Sequence, residues 1–213
     1  RGLVPLLKYV LGSYGNVELV CGDIMKTDLE ALLRPAFERG GVSVCANLPY
    51  YITTPILLAL LDSRLPFESI TVMIQSEVAD RLVAAPGTSA YGSVTAYLGY
   101  FGVTHRLFEV TSDKFLPPPK VDSTVVRIDL YKQKPYVPRN EEIFFRTLRA
   151  AFGQRRKTLP NALSAGFGEL SKSELTEAVK SAGFAPDIRG ERLSTEDFVH
   201  LSDIISDLVA RNK

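Results

Sequence analysis

Asn47-Leu48-Pro49-Tyr50 is the stretch whose residue types could do chemistry. An apolar, β-prone run, Val42 to Ala46, stops at Asn47, and Pro49 bars further ladder pairing. Thr54-Pro55 reads as an N-cap and first helical residue, opening an apolar helix over Ile56 to Leu61. An amide and an aromatic ring are therefore expected in a loop at the carboxyl end of a strand, where open α/β sheets place their ligands. Such a loop suits alkylation of an exocyclic amine. An aromatic amine has its lone pair delocalised into the ring and is a poor nucleophile. The Asn47 side-chain carbonyl and the Leu48 backbone carbonyl, accepting its two hydrogens, would localise that lone pair toward an electrophile. The Tyr50 ring offers a stacking face for a base taken out of its helix. Taken alone, the four residues serve equally well as a strand-end turn with Asn and Pro chosen for geometry.

The elements that must position this loop follow from periodicity. Leu3, Leu6, Leu7, Val10 and Leu11 have the spacing of an amphipathic helix. Val17 to Val20 reads as a strand ending at Cys21-Gly22-Asp23, and Thr27 with Glu30 as a capping box for a helix to Phe37. After the central strand, Ser69 to Ile74 is a second apolar strand, followed by helices over Val78 to Ala84 and Ser93 to Phe101. This strand–helix alternation implies a parallel sheet. Val103 to Val110 and Thr124 to Leu130 then read as a strand pair joined through Phe115-Leu116-Pro117-Pro118-Pro119-Lys120. Beyond a polar, proline-containing linker over 132–139, the chain reads helical. Its helices are 140–152, one capped by Ser171 with Glu174, and one capped by Ser194 with Asp197 reaching Ala210. The expected organisation is one domain over 1–131 and a small all-α domain over 140–213.

The 213 residues carry a net charge of only +1, so global charge does not announce a nucleic-acid partner. Its distribution does. Residues 131–160 hold eight Lys and Arg against two acids, a net of +6 that leaves −5 for the rest. Within that stretch Arg146, Arg149, Arg155, Arg156 and Lys157 are candidates for an RNA phosphate-binding surface, the alternative being a solvated helix face. Cys21 and Cys45 fall in apolar runs without metal-ligand spacing, which predicts buried, reduced thiols and a cytoplasmic location. His105 and His200 are far apart, so neither a metal site nor a nucleophile triad is expected. Gly40 to Leu61 lacks charge, but Asn47, two prolines and two tyrosines break it up as a membrane span.

Six blocks in order then carry a resemblance. They are Asn47 to Pro55; Ile74 to Leu82; Pro86-Gly87-Thr88 with Tyr91-Gly92-Ser93; Phe115 to Ser123; Ala151 to Leu159; and Arg192 to Phe198. Together they resemble the ribosomal RNA adenine dimethyltransferases, on the small-subunit rather than the large-subunit side of that family. The resemblance implies a Rossmann-like S-adenosylmethionine methyltransferase domain followed by a small all-α domain. It also implies transfer of methyl groups to two adjacent adenines in the 3′-terminal hairpin loop of small-subunit rRNA, by a monomer without a metal or membrane. Asn47, Leu48, Pro49 and Tyr50 would hold and stack the target base, with Phe115 packing it from another side. Asp23 and Ile24, with Asn47, would meet the cofactor. No general base is needed, because the sulfonium is a good leaving group and the amine proton can go to water. Gln75 and Glu77 match the next strand end, where helix capping explains Glu77 equally well.

The same resemblance implies a departure. The family's first strand with its glycine-rich turn, and a second strand ending in an acid, have no counterpart here, since Arg1 to Leu7 matches the helix after that acid. An N-terminally incomplete cofactor domain, weak in cofactor binding by itself, is the expectation. The competing reading from another class is a non-catalytic RNA-binding or ribosome-assembly module.

Overall fold

Phe67–Gln75 is buried or half-buried at every position but Glu68, a pattern stable only for a strand inside a sheet. The computed structural model, which describes residues 2–212, places it there. Arg1 and Lys213, the outer ends of the two expected domains, lie outside the described residues. In chain order, Val42–Asn47 is β1, Phe67–Gln75 β2, Gly102–Val110 β3 and Ser123–Leu130 β4, and across the sheet they run β1-β2-β4-β3. β1 is parallel to β2, and β4 is antiparallel to both β2 and β3. Ile70, Val72 and Ile74 of β2 and Val126 and Ile128 of β4 are fully buried at the centre.

The helices are α1 Val4–Leu11, α2 Leu29–Arg39, α3 Thr53–Asp62, α4 Ser76–Leu82 and α5 Ser93–Phe101 in the sheet region. After the linker come α6 Glu141–Gly153, α7 Leu159–Gly166, α8 Lys172–Ser181 and α9 Thr195–Arg211. The capping boxes expected at Ser171/Glu174 and Ser194/Asp197 both form. Asn140 caps α6 by accepting from the Ile143 amide.

Three local expectations fail. Val17 to Val20 is not a strand. A strand needs a ladder for its amides and carbonyls, and among the described residues no strand pairs with the outer edge of β1. Thr27 does not cap α2. Its hydroxyl donates to the Asp23 carbonyl, and Asp28 caps instead by accepting from the Ala31 amide. At α3 the helix begins two residues ahead of Pro55, after a 3-10 turn over Tyr50–Ile52. Pro55 stays harmless because first-turn amides have no intrahelical acceptor.

The cysteines are a further correction: both are exposed. Cys21 lies in the irregular segment, and Cys45 shares with Ser43 and Asn47 the exposed face of β1. Indeed no residue from 2 to 47 is fully buried. α2 rests on the core through half-buried Leu29, Leu33 and Phe37, whose ring meets Phe67 at 5.6 Å between centroids.

The all-α region does not stand apart. A single buried cluster runs from Leu48 through α5 to Val209. At its middle, Tyr97, Tyr100 and Phe101 of α5 interleave with Phe144 and Phe145 of α6 at centroid distances of 4.8–6.3 Å. Gly99 lets α5 approach α9 closely, because a Cβ at this position would run into the Thr195 hydroxyl. Arg64, just past α3, is the one described non-glycine residue with positive φ, 56°. For an L-residue that conformation costs about 1–2 kcal/mol.

Candidate active site

β1 delivers Asn47 to the sheet's carboxyl end. The Leu48 amide extends the ladder by donating to the Met73 carbonyl at 3.2 Å, and Pro49 ends it. Leu48 is buried at 6% exposure, so its side chain anchors the loop while its neighbours stay accessible. The Thr53 hydroxyl closes the turn by donating to the Pro49 carbonyl at 3.1 Å. Among the described residues, nothing donates to the Leu48 carbonyl or engages the Asn47 side chain. Two acceptors are thus left over beside each other at the mouth of the sheet.

The second loop closes on the first. Tyr50 and Ser123 share a hydrogen bond of 2.6 Å between their hydroxyls. Ser123 is the first residue of β4, and the Ser76 amide donates to the Asp122 carbonyl at 3.1 Å. Ser112 N–H donates to the Asp122 carboxylate at 2.8 Å, tying down the other end of the loop. Asn47, Leu48, Pro49 and Tyr50 consequently line, with Phe115, Pro117 and Pro119, one open cleft of ≈ 330 Å³. Its lining is mostly apolar, as a planar ring would need. Sequence reasoning missed Ser123 as the residue that fixes Tyr50, although it ends the quoted Phe115 block.

Asp23 caps a 3-10 turn over Ile24–Lys26 that lies against α3. One of its carboxylate oxygens accepts from the Met25 amide at 3.0 Å, and the other has no partner among the described residues. The expected strand end is therefore a capped turn, but the acid stays exposed at residue 23.

The basic residues divide into two kinds. Arg146 is committed internally: its guanidinium forks onto Glu169 at 2.7 Å, its Nε donates to the Gly166 carbonyl at 2.6 Å, and it lies 4.3 Å from the Phe167 ring. Arg155 donates to the carbonyls of Ser89 and Tyr91 and faces Glu191 at 3.5 Å, bridging α6 to the sheet region. Arg149, Arg156 and Lys157 are exposed and carry no ion pair among the described residues. Arg81 is paired with Glu77 at 2.6 Å. Among the described residues no group of three His, Cys, Asp or Glu could hold a metal, and no helix is long and apolar enough to cross a membrane.

Comparison with known proteins places this geometry. Two solved structures share the fold: a dimethyladenosine transferase from Plasmodium falciparum and the 23S rRNA methyltransferase ErmE. The first has a TM-score of 0.72 and 24% identity over 91% of this chain and 74% of the other. The second has a TM-score of 0.69 and 19% identity over 97% and 79%. The sheet is thus Rossmann-like, followed by a helical region. Proteins named Ribosomal RNA small subunit methyltransferase A are closer in sequence. That of Clostridioides difficile is 44% identical over 99% of this chain and 72% of its own length. That of Pelotomaculum thermopropionicum is 45% identical over 97% and 72%. The model of the ribosomal RNA adenine dimethylase family matches residues 1–207, and the chain belongs to that family.

Proposed function

We propose that this protein transfers methyl groups from S-adenosylmethionine to the exocyclic amines of two adjacent adenosines in the 3′-terminal hairpin loop of small-subunit rRNA, giving N6,N6-dimethyladenosine. The observation that carries this reading is the pair of unengaged acceptors, Asn47 side chain and Leu48 carbonyl, beside the aromatic cleft of Tyr50 and Phe115. The Asn47 carbonyl oxygen and the Leu48 carbonyl accept the two amine hydrogens, which turns the lone pair out of conjugation with the ring. Tyr50, held by Ser123, stacks on the extruded base, and Phe115 with its prolines packs the opposite side. Pro49 holds the loop in the extended geometry that keeps the Leu48 carbonyl out of the ladder. The amine's proton leaves to water, so the rate enhancement comes from positioning and electrostatics.

The residues present fit the adenine end of the cofactor, since Asp23 has an acceptor oxygen to spare beside the Ile24 backbone. When bound, S-adenosylmethionine supplies the electrophilic methyl. Arg149, Arg156 and Lys157 meet the RNA phosphates, while Arg146 and Arg155 shape that surface from within. The division at 132–139 separates a chemistry-bearing part from an RNA-holding part that share one core.

The test is Asn47→Ala. Methyl transfer to unmethylated small ribosomal subunits falls at least about 100-fold, as for removal of one transition-state hydrogen-bond partner. Subunit binding stays at the wild-type level. Transfer that persists within threefold contradicts the role of Asn47.

A further inference from the structure

Arg64 stands where helices prefer glycine. It follows the C-cap Ser63 of α3, its φ is 56°, and its amide donates to the Leu61 carbonyl at 3.2 Å. A strained arginine at such a position persists where its side chain is used. Here the guanidinium crosses to the first residue of α6, with Nη2 donating to Glu141 Oε2 at 2.9 Å and Nη1 to Oε1 at 3.4 Å. The same carboxylate accepts from Lys134 Nζ of the linker at 3.2 Å and from the Tyr100 hydroxyl of α5. Aromatic faces flank both cations: Lys134 Nζ lies 3.7 Å from the Tyr100 ring centroid, and Arg64 Cζ 4.9 Å from that of Phe101. One carboxylate thereby gathers donors from three separate segments.

The placement matters because of what lies at the far ends of the two helices. α3 starts beside the Asn47–Tyr50 loop and ends two residues before Arg64; α6 starts at Glu141 and ends at the turn bearing Arg155, Arg156 and Lys157. The chemistry and the basic turn therefore sit at opposite tips of two levers, ~15 Å and ~20 Å long at 1.5 Å per residue. A change of roughly 10° at the joint moves the basic tip by about 3 Å on a lever of that length. A displacement of ~1 Å can cost about 100-fold in a positioned reaction. Arg155, on the carbonyls of Ser89 and Tyr91, is a second hold on the basic turn, so the joint and Arg155 set its position together, one from each end of α6.

We infer that Arg64 and Glu141, with Tyr100 and Lys134 closing on the same carboxylate, form a joint that fixes the basic turn relative to the catalytic loop. They are positioning residues for the transfer proposed above, and this inference rests on that reading. An RNA gripped at the basic turn is then presented to the cleft at a set distance, which raises its effective concentration there.

The test uses Arg64→Gly, which removes the guanidinium and also relieves the left-handed backbone, so the fold is spared. Glu141→Gln is the second variant, and Arg64→Lys restores charge without the fork. Well below Tm, the KM for small subunits rises about tenfold in both, the KM for S-adenosylmethionine is unchanged, and Arg64→Lys recovers part of the loss. Independently, spin labels on Cys45 and Ser173→Cys, in a Cys21→Ser background, give one narrow distance distribution that broadens in Arg64→Gly. A lowered Tm with wild-type KM and an unbroadened distribution overturns the joint. If the wild-type protein transfers no methyl group, the proposed function fails, and the distance distribution still decides the joint.

Discussion

The two ends of this chain both carry amphipathic helices, and only one end uses them for burial. In α9, the apolar stripe through Phe198, Leu201 and Ile205 is wholly buried. At α1, Leu3 of the N-cap with Leu6 and Val10 has the same spacing, and they are 68%, 56% and 52% exposed. α2 even carries a proline inside the helix, and still no side chain before Leu48 is fully buried. A hydrophobic period states which face seeks cover; whether a neighbour supplies it is a property of topology. Burial is thus concentrated from Leu48 onward, while the proposed site sits at the border with the sparsely buried part.

That contrast can be broken first in the core. Phe198→Ala removes a fully buried ring packed 5.7 Å from Phe152, and we expect a loss of about 3–5 kcal/mol, read by denaturant unfolding. Tyr50→Phe acts at the border. It frees Ser123 from its 2.6 Å partner and costs about 1 kcal/mol, the ordinary worth of such a hydrogen bond, with slower transfer from a less firmly held ring.

The joint at Glu141 sharpens the comparison through pH. Burial pushes this carboxyl up, but hydrogen bonds from Tyr100 and Lys134 and the charge of Arg64 outweigh it and hold it below the usual glutamate range. A carboxyl depressed in the folded state contributes stability that is fully present above its unfolded value, about 4.3. The contribution disappears as pH falls through the folded value. The Tm difference between wild type and Glu141→Gln is therefore constant at neutral pH and closes below about pH 4. Lys134 is pushed down by burial, and the Glu141 carboxylate returns only part of that cost. Tyr91, Tyr97 and Tyr100 are all pushed well above the ordinary phenol range, chiefly by burial, and stay neutral across this window. The smallest effect belongs to the exposed end: Leu6→Ser changes stability by no more than about 0.5 kcal/mol in the same unfolding assay, as exposed positions do.

Much of this was legible in the sequence, for reasons that differ by region. From residue 42 onward most apolar runs found a neighbour, so β2, α5, the β3–β4 pair and the capped α8 and α9 appear as expected, although Leu107 and Phe108 of β3 stay exposed. Val17 to Val20 carries a strand's composition without a ladder partner, and composition cannot supply one. Asn47, Tyr50 and Phe115 were recognisable because the blocks that hold them resemble a known family, the loop by itself serving equally well as a turn, and the structure brings all three to one cleft. The pairing of Arg146 was silent because a cation in a charge run gives no sign of its partner: Glu169 lies 23 residues away. Arg64 and Glu141, 77 residues apart, were silent for the same reason. Their meaning comes from the end-to-start meeting of two helices, which no local pattern encodes.

The central claim is that the Asn47–Tyr50 loop, closed by Phe115 and Ser123, methylates adenine amines of small-subunit RNA. Its most direct test is transfer of labelled methyl from S-adenosylmethionine to unmethylated small ribosomal subunits by this chain, followed by nucleoside analysis. The account predicts N6,N6-dimethyladenosine from the wild-type protein and formation at least about 100-fold slower from Asn47→Ala. Subunits that bind the wild-type protein yet yield no methylated adenosine would contradict it.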